Sequence, residues 1–401
     1  MLRWFFAQKF ENVEDMRIVF CTNSICSLGG IEVITIVKAN ALAQIPGNQV
    51  WIVVPDHDGS PILPLKNVNL VNLAIHFYEN DYKGKIHATI DMMKKRHLYR
   101  QRCKEALSNI QPDVIISTGL MERNFLPHIH ISSHPVFIRE IHHAIHNYFR
   151  EATGWKDKIL GWLKVQIDFK KNIKAYDKIV VLTPEGKSGA WEHWDKVAVI
   201  PNPLTDNTKY PPSAGDAKVA VAAGRLSYIK NYGSLVRVWA KVCERHPDWV
   251  LQIWGEGAEH QQLCQLIADL GMEEHVQLMG YTNELILQMS HASLHLISSR
   301  SEGFSLATLE AASVGLPTVG YNSPGGFKYL VKDGKTGILV PLDDENTFVE
   351  QICRLIEHPE ERKAMGQAAL KEVENYRIEN IVRQWMDLFT ELLKKKHEKH
   401  K

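Results

Sequence analysis

Two glutamates eight residues apart stand in SRSEGFSLATLEAASVGLP (299–317), at Glu302 and Glu310. An apolar run over 294–299 precedes them, and the helix-compatible run LATLEAASVG follows. The chain should therefore leave a strand, turn over Ser301–Ser305 and enter a helix near Leu306. The first amides of such a helix, with its positive dipole end, can hold a phosphate. Glu310 falls one turn into that helix, where a carboxylate can accept hydrogen bonds from a ribose diol. Glu302 falls on the loop, at the carboxyl edge of a sheet where ligands of such folds bind. A second set lies in AAGRLSYIKNYGSLVRVW (222–239): Arg225 ends a strand, and Lys230 follows five residues on, at the expected start of a helix. Two cations over one sheet edge suit a nucleoside diphosphate. In WGEGAEHQQL (254–263), Gly255 and Gly257 make a tight strand-to-helix turn, but the third glycine of a dinucleotide fingerprint would fall at His260.

These residues need strands and helices in alternation to bring them together, and the chain supplies them. Short β-branched runs at 17–23, 49–55, 113–118, 136–141, 178–183 and 197–202 alternate with helical stretches at 30–44, 86–109, 157–175 and 185–193. The pattern restarts with strands at 219–226, 250–257, 276–281, 294–299, 317–321 and 337–341. Helices are expected near 230–245, 259–270, 306–315 and 343–357, and two more, 359–375 and 378–396, close the chain. This is α/β organisation in two successive doubly wound units with parallel sheets. PNPLTDNTKYPPSAGD (201–216) reads as the linker between them. The expected division is 1–203, 204–377 and a last helix with a basic tail, 378–401. Residues 1–15, ahead of MRIVFCTN, read as an extension.

Length and composition agree. The chain has 401 residues, 45% hydrophobic and 23% charged, which excludes disordered, collagenous and disulfide-stapled classes. Its 47 Lys and Arg against 46 Asp and Glu argue against a dedicated nucleic-acid binder. Six cysteines without C-x-x-C or zinc spacing read as reduced thiols of a cytosolic protein. No run is long and apolar enough to span a membrane, and the amino terminus lacks signal-peptide features. Charge is uneven: residues 1–203 carry 25 Lys and Arg against 20 acids, and residues 204–401 carry 22 against 26. The stretches 83–104 and 150–178 each hold eight Lys or Arg, and the second interleaves Trp155, Trp162 and Phe169. Such stretches can lie on an anionic membrane surface or form ordinary solvated helix faces.

With Gly303 and Phe304 after the first glutamate and Ala311 after the second, the 299–317 stretch resembles the retaining glycosyltransferases of family 4, whose signature is E-x7-E and whose fold is GT-B. The likeness is close over about 218–357 and looser before it. It includes the Gly-Arg and Lys of 224–230, the G-x-G at 255–257, the GYTNE turn (280–284), GLPTVGYNSPGG and DGKTGILVP (333–341). It implies two Rossmann-like domains facing across a cleft, with the last helix crossing back to the first. It implies that Arg225 and Lys230 bind the donor diphosphate, Glu310 the ribose and Glu302 the sugar hydroxyls. Gly255, Gly257, Gly303, Phe304, Ser305 and Leu306 would surround the donor, with Gly29 and Gly30 near its phosphates. A catalytic-pocket histidine is expected after a strand of the first domain. His142, in IREIHHAIHNYF (138–149), fits best, with His143 and His146 as competitors. No acid or cysteine stands near these histidines at metal-ligand spacing, so no metal site is expected. Asp56-His57-Asp58 followed by Gly59 reads as an acidic turn rather than a metal-binding D-x-D.

The resemblance therefore implies metal-independent hexosyl transfer with retention, without a cofactor. The donor would be a nucleotide-diphospho-sugar, UDP before GDP, and the acceptor a glycan or lipid-linked glycan of the cell surface, reached from the cytoplasmic face. A UDP-sugar epimerase of the same architecture and a sugar-nucleotide-binding module are the alternatives.

Overall fold

A computed structural model describes residues 15–26, 29–57, 59–77, 79, 85–142, 173–187, 194–205 and 210–399. The apolar runs of the first half form β1 (Arg17–Cys21), β2 (Gln49–Val54), β3 (Val68–Asn72), β4 (Val114–Ser117), β5 (Val136–Ile141), β6 (Lys178–Val181) and β7 (Val197–Val199). Between them lie α1 (Gly30–Leu42) and α2 (Lys85–Ile110). The strands pair in parallel in the order β3-β2-β1-β4-β5-β6-β7. β4 and β5 are buried along their whole lengths, as strands covered on both faces must be.

The second half repeats the plan. Its elements are β8 (Val219–Ala223), α3 (Tyr232–Cys243), β9 (Val250–Trp254), α4 (His260–Asp269), β10 (Val276–Gly280), α5 (Leu285–Ser290) and β11 (Leu294–Ile297). They continue with α6 (Leu306–Ser313), β12 (Thr318–Tyr321), α7 (Phe327–Leu330), β13 (Gly337–Val340), α8 (Glu345–Glu357), α9 (Pro359–Val373) and α10 (Ile378–Lys399). The sheet order is β10-β9-β8-β11-β12-β13, again parallel throughout. In both sheets the order reverses beside the first strand, between β1 and β4 and between β8 and β11. These switch points are where crevices open at the carboxyl ends of the strands.

The last helix does cross back. Ile381, Val382, Trp385, Met386 and Phe389 recur at helical spacing and are buried with Ile18, Val50 and Ile138 of the first sheet. Lys396 Nζ donates to the Pro135 carbonyl at 2.5 Å. The two carboxyl edges also meet. A Cβ on Gly30 would stand 3.1 Å from Leu306 Cδ1, and Glu185, past β6, pairs with Lys328 of α7 at 2.8 Å. Leu182 and Leu204 share a buried cluster with Phe304, Leu309 and Tyr376.

Several local expectations are corrected. β3 lies in a stretch to which the sequence reading assigns no element. It is a half-exposed edge strand whose pattern lacks the continuous apolar run of the others. The helix expected near 230 begins only at Tyr232, after Asn231 at φ 55°, so Lys230 lies in the turn before it. The helix expected at 185–193 is described only as a 3-10 turn, Pro184–Lys187, because 188–193 lie outside the described residues. Most of 157–175, with the basic-aromatic stretch, lies outside them too; Ile173–Ala175 is a 3-10 turn. Among the described residues no helix is long and apolar enough to cross a membrane.

Candidate functional site

The switch point of the second sheet places the chain's exits from β8 and β11 side by side, and backbone hydrogen bonds lock the two loops together. Arg300 N donates to the Ile229 carbonyl at 2.8 Å, and Ser298 Oγ donates to the Lys230 carbonyl at 2.8 Å. A third loop, Ser323–Gly326 after β12, pins Glu302 from the other side. Glu302 N donates to the Pro324 carbonyl at 3.2 Å, and Gly326 N donates to the Glu302 carbonyl at 2.7 Å. Gly325 is at φ 115°, and a Cβ there would strike the Glu302 backbone, so a glycine is required for this approach.

The result brings together two residues 72 apart in sequence. Lys230 Nζ donates to Glu302 Oε1 at 2.5 Å, and Ser299 Oγ donates to the same oxygen at 2.6 Å. Glu302 is 8% exposed. Lys230 and Glu302, expected to serve different parts of a ligand, are paired with each other. Arg225 is exposed and makes no ion pair among the described residues. Its guanidinium is therefore available to an incoming anion without first breaking a contact.

Glu310 stands on α6, partly buried, with Thr205 Oγ1 donating to its Oε1 at 3.3 Å. Burial pushes its carboxyl up to about 7, and the Thr205 hydrogen bond only partly opposes this. Beneath the site His295 is buried, and burial, followed by the nearby Lys230 charge, pushes its imidazole down to about 3. It bonds Thr318 Oγ1 through Nδ1 at 3.0 Å, a structural use.

The remaining sequence candidates divide. Ser305 caps α6: its hydroxyl accepts from Thr308 N at 3.4 Å and from Thr308 Oγ1 at 2.9 Å. Leu306 reaches across to Gly30, as described above. Phe304 is a packing residue, its ring 6.1 Å from that of Tyr376 in the cluster joining the two sheets. Gly255 and Gly257, at φ 134° and 159°, allow backbone-to-backbone approach to Gly224 and Leu226. Gly224 N donates to the Trp254 carbonyl and Leu226 N to the Glu256 carbonyl. Their glycines therefore shape the Arg225–Lys230 loop. Gly303 has its carbonyl close against Gly326. Gly29 caps α1 with extended backbone, and Glu32 folds back toward it.

In the first sheet, His142 follows β5 directly, its side chain 4% exposed, with Nε2 3.5 Å from Glu140 Oε1. His143 and His146 lie outside the described residues. Asp56 spends both carboxylate oxygens on backbone amides, Oδ1 from His76 at 2.5 Å and Oδ2 from Phe77 at 2.9 Å; Asp58 lies outside the described residues. Sequence reasoning missed Ser299, Thr205, Lys38 and Glu140. Only Ser299 carried a usable signal, as a hydroxyl three residues before Glu302 on the same turn.

Two parallel doubly wound sheets with carboxyl edges face to face, an acid–cation pair at the second switch point and a final helix returning to the first sheet define a GT-B protein. Residues 205–372 match the family model described as "Glycosyl transferases group 1". An uncharacterized glycosyltransferase of Haemophilus influenzae is 31% identical over 216 residues, 53% of this chain and 61% of the relative. An exopolysaccharide phosphotransferase of Streptomyces coelicolor is 32% identical over 227 residues, 55% of this chain but 24% of the relative. The chain thus spans less than two thirds of either relative's length. The crystal structure of Anabaena HepE in complex with UDP-glucose superposes with a TM-score of 0.72 at 18% identity, covering 94% of this chain and 100% of that one, which shows a shared fold.

Proposed function

We propose that the protein transfers a hexose from a UDP-sugar to a hydroxyl of a glycan or lipid-linked glycan acceptor, with retention of anomeric configuration and as a step in cell-surface polysaccharide synthesis. The observation that carries this reading is the meeting of Lys230 and Glu302 at 2.5 Å over the second switch point, with Arg225 exposed on the same edge. In this reading Arg225, Lys230 and the first amides of α6 take the diphosphate, Glu310 takes the ribose diol and Glu302 takes sugar hydroxyls. The bond from the anomeric carbon to the departing phosphate oxygen breaks, and the bond to the acceptor oxygen forms on the same face. The acceptor proton passes to the departing phosphate. The cations stabilise the charge that develops there. His142, at the carboxyl end of β5, lines the reacting centre from the first domain. The domains would divide at 203/204, with the last helix beginning at 378.

A UDP-glucose-complexed neighbour of the same fold supports the donor class. A peripheral position on the cytoplasmic membrane face is supported by α2. There Ile90 and Met93 are 48% and 66% exposed, next to exposed Lys94, Arg96, Arg100 and Lys104. The test is incubation with labelled UDP- and GDP-sugars in EDTA. Transfer or slow hydrolysis of a UDP-hexose is expected. An epimerised free sugar, tight binding without turnover, or a need for Mn²⁺ would each overturn the reading.

Glu310 adds a pH dependence. The carboxylate, not the acid, accepts both ribose hydroxyls, so UDP affinity should fall as pH drops through about 7. UDP's own phosphate titrates near ~6, so Glu310→Gln is the control. That variant should bind UDP about ten- to hundredfold more weakly at about pH 8, with a flatter pH profile by calorimetry. In the donor-free protein the raised value also makes the fold bind this proton more tightly than the unfolded chain. The stabilisation is present below the ordinary carboxylate range and is lost as pH rises through about 7. Parallel pH profiles for the two proteins would remove Glu310 from the ribose.

A further inference from the structure

Inside the first domain lies a charged pair that the chemistry above does not use. Lys38 of α1 donates to Glu140 of β5, both side chains 1% exposed. The ammonium lies 5.0 Å from the Trp385 ring centroid and 5.9 Å from that of Phe20. Taking two charges out of water costs about several kcal/mol per ion, which their attraction at best offsets, and an apolar pair of the same volume would hold this core as well. Stability alone therefore gives no reason for the pair, but its neighbour does. Residues 140 and 142 are two apart along an extended chain and fall on the same side of it. His142 Nε2 lies 3.5 Å from Glu140 Oε1, the same oxygen that meets Lys38. Neither His142 Nε2 nor Glu140 Oε2 has a hydrogen-bond partner among the described residues. Burial works to raise the Glu140 carboxyl, but Lys38 and then His142 outweigh it and bring it down to about 2. A fixed anionic oxygen thus sits under the histidine, and the helix that anchors it starts at Gly30, where the two domains meet.

We propose that Glu140, held by Lys38, is a positioning residue that orients His142 by accepting its Nε2–H, leaving Nδ1 to the reacting groups. This rests on the reading that His142 lines the reaction centre. Lys38 keeps the carboxylate in place, and the Trp385 ring of α10 lies against the ammonium, so the returning helix braces the arrangement.

Removing one partner alone would strand a buried charge, so the test uses paired changes. Lys38→Met/Glu140→Gln and Lys38→Met/Glu140→Leu both remove the two charges at similar volume, but only Gln keeps an oxygen that can accept from His142. Both should bind UDP as the wild type does, because the nucleotide residues stand on the other sheet. The Gln pair should keep kcat within about threefold, and the Leu pair should lose about tenfold or more in kcat with donor KM unchanged. In a His142→Ala background the Leu pair should cost nothing further. Equal kcat in the two pairs, with His142→Ala impaired, overturns this proposal and leaves the histidine's role standing. Full turnover in His142→Ala overturns both. Nitrogen NMR of the wild-type chain, with His142→Asn to assign the ring, gives an answer that does not depend on the paired variants folding. A ring protonated on Nε2 supports the proposal, and one protonated on Nδ1 alone defeats it.

Discussion

Glu302→Gln is expected to lower turnover by about a hundredfold while tightening UDP binding by about fivefold. The two effects have separate causes. A carboxylate that holds sugar hydroxyls fixes the anomeric carbon where an acceptor can reach it, and misplacement of that carbon falls on kcat. UDP carries no sugar, so it reports only on what Glu302 does to the phosphate site. In the structure Glu302 pairs with Lys230 at 2.5 Å and is itself steadied by Ser299 at 2.6 Å. UDP must draw Lys230 out of that ion pair and then sit beside a carboxylate. Glutamine keeps the shape and the Ser299 contact but neither holds Lys230 as strongly nor repels a diphosphate. Calorimetry with UDP and turnover with the best donor measure the two effects. A Gln variant that binds UDP more weakly would mean that Glu302 helps to hold the nucleotide and that the assigned roles are wrong.

That prediction could not be made from spacing alone, and the reason is general to this fold. The glutamates at 302 and 310 follow the exit of β11, and Gly224, Arg225 and Lys230 follow that of β8, where local pattern is informative enough to single them out as candidates. The continuous apolar runs marked twelve of the thirteen strands among the described residues, and the amphipathic spacing of 378–396 marked the last helix. The edge strand β3 was lost because an edge needs to bury only part of itself. Pairings across the sheet were lost for a different reason. Lys38 and Glu140 are 102 residues apart, Thr205 and Glu310 are 105 apart, and each residue alone reads as an ordinary polar position. The resemblance placed Phe304 around the donor, and spacing carried no sign of what its ring packs against. The ring packs between the two sheets, next to Leu182 and Leu204.

Lys230→Ala should weaken UDP binding by about ten- to hundredfold, the usual loss for a charge-assisted contact to phosphate. The ion pair adds to this loss. Without Lys230, Glu302, buried in the wild type, loses its counter-charge and keeps only Ser299 as a hydroxyl partner, a negative group facing the place where the diphosphate must settle. The same stranded carboxylate should lower the melting temperature of the free protein, as the loss of one partner of a buried charged pair does. Adding Glu302→Gln removes it, so the double variant should bind UDP more tightly than Lys230→Ala and melt nearer the wild type. A double-mutant cycle separates the two contributions of Glu302. If Glu302→Gln tightens UDP equally with and without Lys230, its effect is repulsion of the phosphates alone. If the tightening shrinks once Lys230 is gone, part of it came from releasing the lysine, which is the result expected from a contact of 2.5 Å. An unchanged UDP affinity in Lys230→Ala would make the lysine only a structural partner of Glu302, and the diphosphate would then rest on Arg225 and the α6 amides.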